Sequence, residues 1–386
     1  MSGSAVFLYT PAFLDYSFAP DHPFNPLRLE LTVDLLAGSG LLERDEWVDP
    51  RSATVDELSQ FHDPSYIQVV QEAGRLGYPP PGAARCELGT EDNPIFPGMH
   101  EAAARAAGAS LAAGELVVEG KAAHALNLAG GLHHAHPYRA SGFCIYNDAA
   151  ILIRHLKRKY GIRVAYIDTD AHHGDGVQWA FYNDPEVLTI SFHETGRYLF
   201  PGTGFVHERG REEGFGYSVN VPLEAFTEDA SFIECFETVV PPLLRAFGPD
   251  LIVSQNGCDA HALDPLSHLS LTNTSFRRVP EVVHSLAHQL TGGRWIALGG
   301  GGYDIWRVVP RAWALLWSEV SGRLLPFRLP SAWLDRWQPR SPVPLASSFG
   351  DNPSDFPPVP RQAEIQEKNR ITSEQALEEA LRLIKG

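Results

Sequence analysis

Residues 168–175 read Asp168-Thr169-Asp170-Ala171-His172-His173-Gly174-Asp175, which puts three carboxylates and two imidazoles into one short segment. Together with Asp259 of Gln255-Asn256-Gly257-Cys258-Asp259, Asp170 and His172 supply two carboxylates and one imidazole. Three protein ligands with one position left for water are what a catalytic divalent metal requires. Two oxygens and one nitrogen make a harder set than zinc often has, so Zn²⁺ is expected with Fe²⁺ or another divalent ion as the alternative. His133 and His134, in Gly130-Gly131-Leu132-His133-His134, come with two carboxylates that the metal does not need, Asp168 and Asp175. A carboxylate on the far nitrogen of an imidazole fixes its tautomer and raises its basicity, so two His–Asp pairs would provide a base and an acid for hydrolysis. Tyr303 follows Gly299-Gly300-Gly301-Gly302. Its hydroxyl could donate to the oxyanion of a tetrahedral intermediate, and the glycines would let the backbone approach closely.

These groups need a scaffold that aims them at one place. Runs rich in β-branched and aromatic residues at 5–9, 123–128, 163–167, 187–192, 250–254 and 294–298 read as strands, and 26–36, 99–119, 147–160, 227–247 and 275–290 read as crossover helices. That alternation predicts an α/β fold built on a parallel sheet. In such sheets ligands bind outside the carboxyl ends of the strands. Five of the expected strands run directly into histidines, carboxylates or the glycine-backed tyrosine. Taken singly, each feature has an ordinary structural explanation: an aspartate capping the next helix, a buried histidine pair, a tight glycine turn. Their convergence at consecutive strand ends favours a site. The glycine run lacks the Lys-Ser/Thr of a P-loop and the spaced glycines of a dinucleotide fingerprint.

The chain has 386 residues, 44% of them hydrophobic, and 31 Lys+Arg against 47 Asp+Glu for a net charge of −16. It is long enough for a large core, and without a repeat or a linker before about residue 320 it reads as one domain over residues 1–323. The acidic balance disfavours a nucleic-acid partner and suits a cationic or neutral substrate. No apolar run approaches the roughly 18 to 20 residues of a membrane span, and the N-terminus lacks a secretory pattern, so a soluble, cytoplasmic protein is expected. Its four cysteines form no CxxC pair. Residues 324–361 are proline-rich, which predicts extended segments wrapping the domain or a disordered linker. Residues 373–384 have helical spacing and would dock on the domain or on a partner.

Five segments occur in the order found in one enzyme family. They are Gly130-Gly131-Leu132-His133-His134-Ala135, Ser141-Gly142-Phe143-Cys144-Ile145-Tyr146-Asn147-Asp148, the run from Asp168 to Gln178, Phe200-Pro201-Gly202-Thr203-Gly204, and Gly299 to Tyr303. The chain resembles the histone deacetylase superfamily over about residues 5–320. His22-Pro23-Phe24-Asn25-Pro26-Leu27-Arg28 and the stretch from Asn256 to Leu266 are similar to the bacterial acetoin-utilisation deacetylase branch, close to class I enzymes. The resemblance implies a single-domain arginase/deacetylase-like fold with a central eight-stranded parallel sheet flanked by helices. It also implies zinc on Asp170, His172 and Asp259, His134 as general base and acid backed by Asp175, His133 as electrostatic support paired with Asp168, and Tyr303 polarising the acetyl carbonyl. Gly142, Phe143 and Phe200 would line a narrow channel for the stem of an acyl-lysine, with Leu266 at its mouth and Asp92 gripping the substrate backbone at the rim. Family members further imply K⁺ or Na⁺ sites, one at Asp168, Asp170, His172, Ser191 and Phe192, a second around Phe181, Asp184, Val187 and Tyr217. Residues 324–386 carry no shared motif.

The resemblance thus implies a zinc-dependent amidohydrolase acting on acetyl-lysine in a protein, acetyl-CoA synthetase being a candidate by analogy with the branch. Small acetylated amines such as acetylpolyamines are the alternative substrate, and a non-catalytic acetyl-lysine binder is the alternative class. An arginase-type binuclear centre would need a second Asp-x-Asp, whereas Ala260 and His261 follow Asp259. Oligomeric state is not legible in the sequence.

Overall fold

The structure, a computed structural model, describes residues 5–384. Eight strands form one sheet: β1 (Ala5–Leu8), β2 (Trp47–Val48), β3 (His124–Asn127), β4 (Val164–Asp168), β5 (Val187–Glu194), β6 (Ser218–Leu223), β7 (Leu251–Gln255) and β8 (Trp295–Leu298). Their spatial order is β2-β1-β3-β8-β7-β4-β5-β6, and every pairing is parallel. This is the eight-stranded parallel α/β sheet expected from the sequence. Its central strands are covered on both faces, which is why β4, Val-Ala-Tyr-Ile-Asp, is buried throughout and reads as a run rather than an alternation. All six strands read from the sequence are present, with ends displaced by a residue or two.

Two strands escaped that reading. β2 has two residues, too few for any periodicity. β6, Ser-Val-Asn-Val-Pro-Leu, carries polar Asn220 and a proline that only an edge strand tolerates.

The helices are α1 (Leu27–Gly38), α2 (Val55–Leu58), α3 (Pro64–Leu76), α4 (Met99–Val118), α5 (Asp148–Tyr160), α6 (Asp175–Ala180), α7 (Asp229–Phe247), α8 (Asn273–Leu290), α9 (Val309–Ser321), α10 (Ser331–Trp337) and α11 (Gln362–Ile384). One group packs in the succession α3, α4, α5, and another in the succession α1, α9, α8, α7, α11. α9 was not read from the sequence because its middle, Ala312, Trp313, Ala314, Leu315, Leu316 and Trp317, is an unbroken apolar run, all of it buried, which hides the helical period.

The proline-rich segment wraps the domain and contains a helix of its own. On α10, Trp333 and Trp337 are buried, and the Trp333 indole N–H donates to the Leu31 carbonyl at 3.1 Å. Further on, Asp351 pairs with Arg311 at 2.8 Å and with His261 at 3.0 Å. The terminal helix starts well before residue 373 and lies on α7 and on β6. Buried Asn369 accepts from the Glu224 N–H at 2.9 Å and donates to the Thr227 and Ser231 hydroxyls at 2.7 and 3.0 Å. α11 therefore covers the sheet edge that β6 would otherwise expose.

Candidate active site

Parallel register brings the polar loops to one edge. Asp168, the last residue of β4, stands level with Gln255 on β7 and Ser191 on β5, and Asn127 of β3 stands level with Leu298 of β8. The loops leaving β3, β4, β7 and β8 then carry His133 and His134, Asp170 to Asp175, Asp259, and Tyr303 to a common place.

At its centre, one donor atom each from Asp170, His172 and Asp259 lies within 4.8 Å of the others, and all three residues are buried. The His172 Nδ1 is 2.9 Å from Asp259 Oδ2 and 3.1 Å from Asp170 Oδ1. Other atoms fix the carboxylates from outside: Asp170 Oδ2 accepts from the Gln255 amide and the Gly301 N–H, both at 2.7 Å, and Asp259 Oδ1 accepts from the Ala171 N–H at 2.8 Å. A Cβ on Gly301 would sit 2.1 Å from Asp259 Oδ2, so the glycine leaves the room this carboxylate occupies. Burial and the adjacent Asp170 carboxylate push Asp259 up to about 6. Two buried carboxylates this close, with an imidazole between them, are a donor set that fits a divalent cation, whose charge removes their mutual repulsion.

Beside this cluster stand the two histidines. His133 Nδ1 is 2.7 Å from Asp168 Oδ2, His134 Nδ1 is 2.7 Å from Asp175 Oδ1, and the two Nε2 atoms are 3.0 Å apart. Adjacent in sequence, they differ sharply in charge. Burial works against a proton on His133, but Asp168 and Asp170 outweigh it and hold its pKa at about 9. Burial and then the His133 charge pull His134 down to about 4. At neutral pH the first imidazole is a cation and the second a free base, held by Asp175 as the Nδ1–H tautomer. Asp175 Oδ2 also bonds His136 Nε2 at 3.0 Å.

Tyr303 completes the floor. Its N–H donates to Asp264 Oδ2 at 2.7 Å, and the preceding turn is clamped by Arg28, whose Nη1 donates to the Gly300 and Gly302 carbonyls at 2.9 and 3.1 Å. Burial, then the Asp259 and Asp170 carboxylates, push the phenol well above its ordinary range, so the hydroxyl stays a donor. The Phe143 ring meets Tyr303 edge-on at 5.8 Å, and Phe200, 43% exposed, meets His134 at 5.0 Å and His172 at 6.5 Å. Gly142 lies between them: with φ at +50°, a Cβ there would sit 2.5 Å from His134 Cδ2 and 2.9 Å from Phe200 Cε1. The two rings and Gly142 thus border an approach to the polar cluster.

The remaining expected residues fall around this centre. Leu266 is half-buried and its N–H donates to Asp264 Oδ1 at 3.0 Å, on the carboxylate that also holds Tyr303. Asp92 is exposed beside His22, whose ring packs on Phe143 at 4.6 Å. Ser191 sits next to Asp168 across the β4–β5 pairing, with its hydroxyl 2.8 Å from His193 Nδ1, and Phe192 follows it. Phe181, Asp184, Val187 and Tyr217 gather at the far end of β5, through Asp184 N–H to Phe181 at 3.0 Å, Val187 N–H to Asp184 at 3.4 Å and Thr189 N–H to Tyr217 at 2.9 Å. There the Lys157 ammonium binds the Asp184 carboxylate.

Several residues that hold the site were not singled out from the sequence. Asp148 accepts from the Gly131 and Leu132 N–H groups at 3.1 and 2.8 Å, and the Asn147 amide donates to the His133 and Ala135 carbonyls at 3.1 and 3.0 Å. Gln255, Asp264 and Arg28 are the others. All lie within the recognised motifs except Gln255, one residue before the stretch that begins at Asn256, but their partners are distant in sequence. His261, where a binuclear centre would need a carboxylate, bonds Asp351 instead.

The Histone deacetylase domain model matches residues 22–320. The chain is 52% identical to "Acetoin utilization protein AcuC" of Bacillus subtilis (strain 168) over 373 residues, 97% of this chain and 96% of the relative. It is 45% identical to the protein of the same name from Staphylococcus aureus (strain MSSA476) over 370 residues, 96% and 95% of the two chains. Among solved structures, an HDAC homologue complexed with SAHA superposes with a TM-score of 0.87 at 31% identity, covering 97% of this chain and 99% of the other. An HDAC homologue from Aquifex aeolicus gives 0.84 at 30% identity, covering 95% and 100%.

Proposed function

Because the chain belongs to the histone deacetylase family, we propose that it hydrolyses the acetyl amide of N-ε-acetyl-lysine in proteins, giving lysine and acetate with the help of a divalent metal. What carries this reading is the meeting, at one sheet edge, of a three-ligand cluster, two carboxylate-backed imidazoles of opposite charge state, and a tyrosine whose hydroxyl stays protonated. Asp170, His172 and Asp259 would hold Zn²⁺, with Fe²⁺ as the alternative for this donor set. When bound, the ion supplies Lewis-acid polarisation of the acyl oxygen and of the attacking water.

The other steps fall to side chains of the chain itself. His134 takes the proton from the attacking water on its Nε2, giving up the hydrogen bond that this atom accepts from the His133 Nε2–H at 3.0 Å, while Asp175 fixes its tautomer through Nδ1. The same imidazole returns the proton to the departing lysine amine. His133, kept cationic by Asp168, adds positive charge where the oxyanion grows. Tyr303 donates its hydroxyl to that oxyanion from the Arg28-clamped turn. Phe143, Phe200 and Gly142 admit the aliphatic stem, Leu266 borders the mouth, and Asp92 accepts from the substrate backbone at the rim. K⁺ or Na⁺ beneath the site, at Asp168, Asp170, His172, Ser191 and Phe192, and at the second position near Phe181, would be structural supports. Residues 1–323 act as the catalytic domain and 324–386 as an extension bracing it. A cytoplasmic enzyme fits the four free, buried cysteines.

The net charge of −16 favours a cationic substrate region, which suits basic acetylated peptides, with acetyl-CoA synthetase as one candidate protein, and equally suits acetylated polyamines as the second reading. Acetate release by metal-stripped protein, before and after adding Zn²⁺ or Fe²⁺, on matched acetyl-lysine peptides and acetylpolyamines tests both. Peptide turnover that returns with metal is expected. Turnover of polyamines alone would move the substrate to small amines, and silence on both panels would overturn the deacetylase reading.

A further inference from the structure

A second group of imidazoles lies at the opposite edge of the sheet. His124 is the first residue of β3, whereas the catalytic loop leaves the last, and His284 and His288 stand one turn apart on α8. One ring nitrogen from each of the three lies within 4.8 Å of the others. The ring centroids are 4.7, 5.2 and 4.8 Å apart, and the Trp295 indole stacks on His284 at 5.7 Å.

The Nε2 atoms of His284 and His288 meet each other at hydrogen-bond distance, and a bound ion would take the place of that hydrogen bond. His284 Nδ1 is 2.7 Å from Glu319 Oε1 on α9, which leaves Nε2 as its available atom, and that Nε2 is 3.0 Å from His288 Nε2. Two nitrogens on one tetrahedral zinc, each at about 2.0–2.1 Å, stand about 3.3–3.4 Å apart. A carboxylate behind a histidine ligand is the usual arrangement around such ions. His124 is buried, and its Nδ1 has no hydrogen-bond partner. Gly293, with φ at +92°, borders the same space: a Cβ there would sit 3.2 Å from His288 Cε1 and 3.9 Å from His124 Cε1.

We infer that His124, His284 and His288 form a second metal site, for a divalent ion of the Zn²⁺ class, with Glu319 orienting His284 and His288 open to solvent. Three imidazole nitrogens select Zn²⁺, Cu²⁺ or Ni²⁺ over Mg²⁺ and Ca²⁺. The ion ties β3 to α8 and, through Glu319, to α9. It leaves the catalytic edge untouched and is independent of the deacetylase reading.

The test is Zn²⁺ content of the full chain after equilibrium dialysis against Zn²⁺, with acetate release measured in parallel. Wild type is expected to hold one more Zn²⁺ than His288→Ala, which should keep its turnover and, because His288 is exposed, its fold. In the Asp259→Ala background, which isolates the second site, Zn²⁺ should still bind. Adding His288→Ala there should weaken it by at least about tenfold, and Glu319→Gln should weaken it by about 10- to 100-fold. Excess Mg²⁺ should not compete. Equal Zn²⁺ content in wild type and His288→Ala, or unchanged Zn²⁺ affinity on adding His288→Ala to Asp259→Ala, would overturn the site whether or not the enzyme is a deacetylase.

Discussion

Replacing Tyr303 by phenylalanine removes one hydroxyl and little else. Among the described residues that hydroxyl has no hydrogen-bond partner, so its loss leaves no buried group unpaired. The ring keeps its edge contact with Phe143 at 5.8 Å, and the backbone keeps its bond to Asp264 at 2.7 Å. Folding stability and Zn²⁺ content should therefore match wild type. What disappears is a donor on a side chain that feels the Asp259 and Asp170 carboxylates. One oxyanion donor in a buried, charged site is worth about 2.7–4 kcal/mol, or about 10²–10³ in kcat. If the hydroxyl acts mainly on the oxyanion, kcat should fall by that factor while KM stays nearly constant. The assay is initial-rate acetate release from an acetyl-lysine peptide, with melting temperature and metal content as controls. Turnover within about threefold of wild type would refute the oxyanion role. A raised KM with unchanged kcat would instead assign the hydroxyl to ground-state binding.

Gly142→Ala places a methyl group 2.5 Å from His134 Cδ2 on a backbone with φ at +50°, so the imidazole or the Phe200 ring must move. Displacing a reacting group by about 1 Å costs on the order of 100-fold, so kcat/KM should fall that far, and steady-state kinetics would expose an unaffected variant. His62 is buried, accepts from the Asn147 N–H at 3.0 Å, and is pulled down to about 3 by burial from an unfolded value of 6.5. Its folded pKa is depressed, so below 6.5 the unfolded chain takes a proton the folded chain refuses, and the stability it contributes is lost as pH falls from 6.5 towards 3. At about pH 5 that loss is about 2 kcal/mol, and urea unfolding curves at neutral and acidic pH should show it, with a flatter pH dependence in His62→Gln. Truncation after Arg361 removes α11, uncovers β6 and strips Asn369 from its three partners. The melting temperature should drop while turnover per folded molecule persists, and loss of all turnover in folded protein would contradict a bracing role.

Much of this molecule was legible because a parallel sheet buries its strands on both faces and sends its loops to one edge. Residues 123–128, 163–167, 250–254 and 294–298 read as strands for that reason, and the polar residues following each were candidates together. β6 hid behind Asn220 and Pro222, and α9 hid behind the unbroken apolar run from Ala312 to Trp317. The residues that hold the site were harder to see. Asp148, Asn147 and Gln255 look like ordinary positions in or beside the motifs until the loops they hydrogen-bond are brought beside them.

Residue type and order alone determined the inventory: the donor set of Asp170, His172 and Asp259, the paired histidines, and the tyrosine behind its glycines. Only the tertiary structure decided the surroundings of each member. His133 and His134 are neighbours with the same side chain, yet one is held at about 9 and the other at about 4. Each ring has a carboxylate at 2.7 Å on Nδ1, and the difference comes from the second carboxylate, Asp170, near the first ring and from burial and the charge of that first ring acting on the second. β4 and its loop, not local sequence, put Asp168 and Asp170 against the first ring. The same holds across the sheet, where His284 and His288 show an i, i+4 spacing in the chain, but the third imidazole comes from β3. Electrostatic and coordinate interactions fall off over short distances, so they are set by what folding brings together rather than by what is adjacent in sequence.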